Sequence, residues 1–206
     1  MSFDLWLAFV AASSLLLMIP GPTVLLVLSY ALSKGRSVAL SSAAGVALGD
    51  LIAMTASLLG LGAIVLASAT AFTVLKWIGA AYLLWLGIKL VRSAPTEGLT
   101  PTRDVTAKGV FGHAAMVTAL NPKSIAFFIS FVPQFIRPET PLFPQFAILI
   151  ATFVSLAAIN ALIFALLADR MRRLIAKPSV LTWITRMGGA TLIGMGVMTA
   201  TLRRAT

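Results

Sequence analysis

The chain has 206 residues, of which 59% are hydrophobic and only 11% charged, and its mean hydropathy is +1.00. That leaves too little polar surface to enclose a water-soluble core of this size, so composition excludes a soluble domain and calls for a lipid bilayer as solvent. The formal charge of +10 does not call for nucleic acid, because the basic residues sit in short clusters between apolar runs and form no basic helix face.

A hydrocarbon core about 30 Å thick takes roughly 20 apolar residues per helix. Six stretches qualify, at about 3–32, 38–67, 71–91, 110–136, 143–168 and 180–202. The predicted fold is all-α and integral to the membrane, one transmembrane domain over 1–206 with six spanning helices. The opening MSFDLWLAFV has no basic residue before Lys34 and no small-residue cleavage site, so the first helix is expected to be retained rather than removed as a signal peptide.

The first stretch carries Pro20-Gly21-Pro22 in its middle, and the run continues through Thr23. Proline removes a backbone donor and clashes with the preceding turn, so a break is predicted there. The second stretch ends its AAGVALGD run in Asp50, the one acid deep in a span, with Gly45 and Gly49 forming a small-xxx-small face beside it. Such a face lets another helix approach closely. No basic residue lies within a turn of Asp50 on its own helix, so it must find a partner elsewhere or carry a proton.

The fourth stretch is interrupted again, at Asn121-Pro122-Lys123. Lys123 follows Phe111 by twelve residues, or about 18 Å at the helical rise, which puts it near mid-membrane. An ammonium there marks either a paired site or a cap on carbonyls released at the break. Irregular backbone at membrane depth is tolerated only beside protein or a water-filled cavity, and helix starts after Pro22 and Pro122 would turn free amides and partial positive charge toward it, which suits a carboxylate. Asn160, in the fifth stretch, holds roughly the place of Asp50 in the second; it reads as interhelical glue or a substrate contact. His113, Gln134, Arg186 and the aromatics Trp77, Tyr82, Trp85 and Trp183 read as structural, capping, snorkelling or interfacial residues.

Loops assigned alternately to the two sides put Lys34, Arg36, Lys89, Arg92, Arg103, Lys108, Arg170, Arg172, Arg173 and Lys177 on one face, against Lys76, Arg137, Arg203 and Arg204 on the other. The richer face is expected to be cytoplasmic, with both termini outside. The two helix breaks lie one hundred residues apart, and WIGAAYLLWLG (77–87) aligns with RMGGATLIGMG (186–196) at Gly79, Ala81, Leu83 and Gly87. The expected organisation is two repeats, about 3–92 and 110–203, joined by a cytoplasmic loop at about 93–109. An odd number of crossings in each makes the repeat inverted, and paired interruptions in such a repeat point to a binding site at the midplane.

These motifs, Gly-Pro in the first helix, Gly-Asp in the second, Asn-Pro-Lys and then Pro-Gln-Phe in the fourth, together resemble the LysE/RhtB amino-acid exporter family over nearly the whole chain. The resemblance implies a secondary exporter of the bacterial inner membrane that moves amino acids or their derivatives outward, coupled to protons. Its members are associated with lysine, arginine, threonine, homoserine, homoserine lactone or leucine. It places Gly21 and Pro22, Gly49 and Asp50, and Asn121, Pro122 and Lys123 on the family motifs, with Thr23 standing where asparagine often follows Gly-Pro.

The expected substrate-binding set is Gly21, Pro22, Thr23, Asp50, Asn121, Pro122, Lys123 and Asn160, with Asp50 also coupling protons and no cofactor called for. The alternative is an exporter of a metal or other small cation, which a lone histidine, one deep acid and no cysteine supply poorly. An intramembrane Ser-Lys hydrolase using Lys123 with a serine such as Ser124 or Ser130 is disfavoured, because neighbours at i and i+1 on a helix point apart. Glycines 188, 189, 194 and 196 offer close packing either within one protomer or in a homodimer.

Overall fold

The computed structural model describes residues 1–19, 21–34, 38–92, 106–137, 140–168, 170 and 178–201. Among them, all regular structure is helical: α1 (Phe3–Met18), α2 (Pro22–Lys34), α3 (Ala39–Ala67), α4 (Ala69–Arg92), α5 (Ala107–Ala119), α6 (Pro122–Ser130), α7 (Leu142–Leu166) and α8 (Pro178–Thr201), with a 3-10 turn at Val132–Phe135 after α6. The predicted connection at 93–105 lies outside the described residues, as do Pro20, Arg36, Arg172, Arg173, Lys177, Arg203 and Arg204.

Both interruptions fall where the prolines require them. Pro22 opens α2, and Pro122 opens α6 behind an Asn121 cap whose side chain accepts from the Lys123 amide; a first-turn proline forfeits a donor that has no intrahelical partner anyway. The chain bends by 57° between Phe3–Met18 and Pro22–Leu32 and by 45° between Ala107–Ala119 and Pro122–Phe135. Three segments, Ala39–Ile64, Thr73–Arg92 and Leu142–Leu166, are each long and apolar enough to cross a membrane, and counting each bent pair as one span brings the number to five. The sixth predicted stretch does form a helix, α8, yet stands outside that set: Arg186 and its run of glycines and threonines dilute its apolarity.

Glycines decide which helices touch. A side chain at Gly45 would strike the Phe111 carbonyl, and one at Gly49 would come within 2.5 Å of the Ala115 carbonyl oxygen and 2.6 Å of Thr118 Cβ. The small-xxx-small face of α3 is therefore filled by α5. In the same way a β-carbon on Gly87 of α4 would lie 2.7 Å from the Gly189 carbonyl oxygen, and one on Gly196 of α8 would lie 2.9 Å from Leu84 and 3.0 Å from the Ala80 carbonyl oxygen, which fixes α4 and α8 as antiparallel neighbours. Gly188 closes on Ile19. Three of the four α8 glycines thus pack within the protomer, and Gly194 alone of the four has open space beside it.

α1 and α7 run parallel, tied at one end by Trp6 Nε1 donating to Thr152 Oγ1 (3.0 Å) and at the other by Asn160 Nδ2 donating to the Leu17 carbonyl (3.2 Å). Between them and α6 lies a cluster of six phenylalanines, in which Phe128 meets Phe153 edge-on at 4.8 Å and Phe9 meets Phe135 at 5.3 Å. Trp77, Trp85 and Trp183 are exposed, and Lys89 Nζ lies 5.2 Å from the Trp85 ring centre. Ile52, Leu59, Ile163 and Val197 are likewise exposed, the arrangement expected when the outer surface faces lipid rather than water.

The glycine contacts make a paired prediction. Gly49→Ala is expected to destabilise the protein by about 1–3 kcal/mol through overpacking against α5, whereas Gly60→Ala on the same helix, with nothing within 4 Å of the added carbon, is expected to be neutral or to stabilise by up to about 1 kcal/mol. Thermal unfolding in detergent measures both.

Candidate functional site

When α1 ends at Met18 its last carbonyls lose their helical partners, a costly loss away from water. Side chains from two other helices replace those partners. Lys123 Nζ donates to the carbonyls of Leu16 (3.1 Å) and Ile19 (2.9 Å), and Asn160 Nδ2 takes Leu17. A cation at a helix C-terminus also complements the dipole. The capping role open to Lys123 from the sequence is the one it fills here. Gly21 makes room for it, since a β-carbon there would lie 3.3 Å from Nζ.

The second interruption is tied to the first through Thr23. Asn121 Nδ2 donates to Thr23 Oγ1 at 3.1 Å while its Oδ1 accepts from the Lys123 amide at 3.1 Å, and Thr118 Oγ1 donates to the same threonine oxygen at 3.3 Å. With both acceptor positions of the hydroxyl used, its own proton is left to donate.

Asp50 is 2% exposed, and its Oδ1 is buried without a hydrogen-bond partner. It lines the same hollow as Lys123. Gly21, Thr23, Asp50, Asn121, Lys123 and Asn160 all line one hollow at the level of the breaks. Pro22 and Pro122 are exposed at the first turns of α2 and α6; they aim the backbone. The hollow measures about 20 Å³, room for about one water molecule, so anything of amino-acid size needs the surrounding helices to part.

Ser124 also lines the hollow, as do apolar residues of α2, α3 and α7 that the sequence did not single out; only the spacing of Ala157 and Ala161, one turn apart on α7, offered a signal. The other polar candidates lie in separate contacts. His113 Nδ1 is 2.7 Å from the Tyr30 hydroxyl, Gln134 Nε2 donates to Thr199 Oγ1 at 2.6 Å, and Arg186 is exposed.

Helices long and apolar enough to cross a membrane, two of the paths interrupted around a charged hollow, describe a membrane translocator. Residues 14–203 match the LysE type translocator family. The chain belongs to that family; it is a transporter and not an enzyme. It is similar to a homoserine/homoserine lactone efflux protein of Salmonella typhimurium, 33% identical over 206 residues covering all of both chains. A membrane protein of Vibrio cholerae is 34% identical over 204 residues, 98% of this chain and all of that one. A leucine efflux protein of Salmonella typhimurium is 29% identical over 162 residues, 78% of this chain and 76% of its own. No solved structure matches.

Removing Lys123 should expose the coupling between its two duties. Lys123→Met is expected to cost about 1–3 kcal/mol through the carbonyls left unpaired, and adding Asp50→Asn should return part of that loss, a coupling of about 0.5–3 kcal/mol. Strictly additive shifts in thermal unfolding would mean that the two charges do not interact.

Proposed function

We propose that this chain exports amino acids or their derivatives across the bacterial inner membrane by alternating access, coupled to inward proton movement. The observation that carries this is the hollow between the two helix breaks, lined at once by a buried carboxylate with an unpartnered oxygen and by a lysine. A zwitterion fits that pairing: its ammonium binds at Asp50 and its carboxylate at Lys123, beside the opening turns of α2 and α6. The Lys123 ammonium has three donors, and two are committed to α1. The third serves the substrate. The Thr23 hydroxyl and the Asn160 amide complete the binding set, with Gly21, Pro22, Asn121 and Pro122 shaping the backbone around it.

Coupling follows from having one acid in the hollow. Ionised, Asp50 holds the substrate ammonium; protonated from the outer side, it releases it; losing the proton to the cytoplasm resets it. The names of the similar proteins, homoserine/homoserine lactone efflux and leucine efflux, support amino-acid export for this chain. Among the described residues no three of His, Cys, Asp and Glu converge, so the hollow offers a single carboxylate, which favours an amino acid over a metal cation as cargo.

Rocking of two inverted repeats, about 3–92 and 110–203, is the motion we assign. The α4·α8 seam supports it: Gly87 meets Gly189 and Ile193, while Gly196 meets Ala80 and Leu84. Shifting the first set by the 109 residues that align the third and sixth stretches turns each residue of one contact into its counterpart in the other. Antiparallel helices exchanging equivalent contacts are what a twofold axis in the membrane plane produces. We take α8 as a sixth crossing and, from the excess of Lys and Arg on one side, assign both termini to the periplasm.

Asp50→Asn is expected to lower export driven by an imposed pH gradient by at least about tenfold, measured as efflux of a loaded amino acid from proteoliposomes. Wild-type flux in that variant would remove Asp50 from the mechanism.

A further inference from the structure

The hollow has a polar end and an apolar one. Val27 lies one turn beyond Thr23 on α2, Val46 one turn before Asp50 on α3, and Phe164 one turn beyond Asn160 on α7, and all three line the hollow together with Val24, Ala157 and Ala161. The directions of the helices place Val27, Val46 and Phe164, with Ala161, toward the same end, whereas Ala157 precedes Asn160 and lies on its other side. α3 follows α2 after a short connection and returns antiparallel to it. α7 runs parallel to α1, as the Trp6–Thr152 and Leu17–Asn160 bonds require, so Phe164 is displaced the way α2 continues. One turn past every polar group, the wall becomes entirely aliphatic or aromatic.

We infer that this wall is the side-chain pocket, that it admits uncharged aliphatic side chains and rejects charged ones, and that Ala161 of α7 sets the largest size it takes. This rests on the hollow being the substrate site. A substrate held by its ammonium and carboxylate at Asp50 and Lys123 directs its side chain at Val24, Val27, Val46 and Phe164. Among the described residues no ionisable group stands on that wall to pair with a lysine, arginine or glutamate side chain, and an unpaired charge in such surroundings is heavily penalised. Alanine at 161 is the smallest side chain on that wall, and a longer one there would occupy the volume that a branched substrate needs.

The test is efflux of radiolabelled alanine, leucine, lysine and glutamate from proteoliposomes containing the full chain. Wild type is expected to carry alanine and leucine and to carry lysine and glutamate at least about tenfold more slowly. Ala161→Leu is expected to lower the leucine-to-alanine flux ratio by about tenfold or more, and Val27→Ala to raise it. The ratio is taken within each variant, so it does not depend on how much of that variant is folded. Equal rates for lysine and leucine in wild type, or ratios unmoved by both substitutions while flux persists, would overturn the pocket. Flux of none of the four would instead overturn amino-acid export itself, and the pocket with it.

Discussion

A helix interrupted at membrane depth leaves peptide carbonyls and amides where no water can reach them, and every notable feature of this molecule answers that constraint. Lys123 and Asn160 satisfy the end of α1, and Asn121 caps the start of α6. The reason to accept such interruptions is what they create. A continuous helix exposes only side chains, whereas a broken one offers backbone ends, with their partial charges, to a solute in the bilayer.

The same side chains hold the scaffold and line the hollow. Thr23 joins both interruptions through one oxygen, and Lys123 grips α1 while lining the hollow that Asp50 also lines. A solute that recruited Lys123 would act directly on the contacts that hold α1 and α6 together. The hollow has room for about one water molecule.

Much of this was legible in the sequence because proline, glycine and charge are costly in a bilayer and occur only with a purpose. The two breaks, the six helical stretches to within a few residues, and the convergence of Asp50 and Lys123 on one hollow could be read from residue type and spacing. The partners could not. That Lys123 would meet Leu16 and Ile19, or Asn160 meet Leu17, depends on how α1, α6 and α7 are placed in space, and backbone acceptors carry no mark in a sequence. The apolar wall was hidden for the opposite reason: Val24, Val27, Val46 and Ala161 look like any other residues of a membrane helix until the polar groups beside them are located. Apolarity by itself also under-reported α8, whose glycines serve helix contact at the expense of hydropathy.

The seam between α4 and α8 constrains how such a chain can drift over generations. A β-carbon on Gly87 would lie 2.7 Å from the carbonyl oxygen of Gly189, and one on Gly189 would lie 2.6 Å from that of Gly87. A side chain at either position has to push the other backbone away, an overpacking cost that weighs on each single replacement in the pair. Descendants of this chain are therefore expected to keep both glycines or to space the two helices differently.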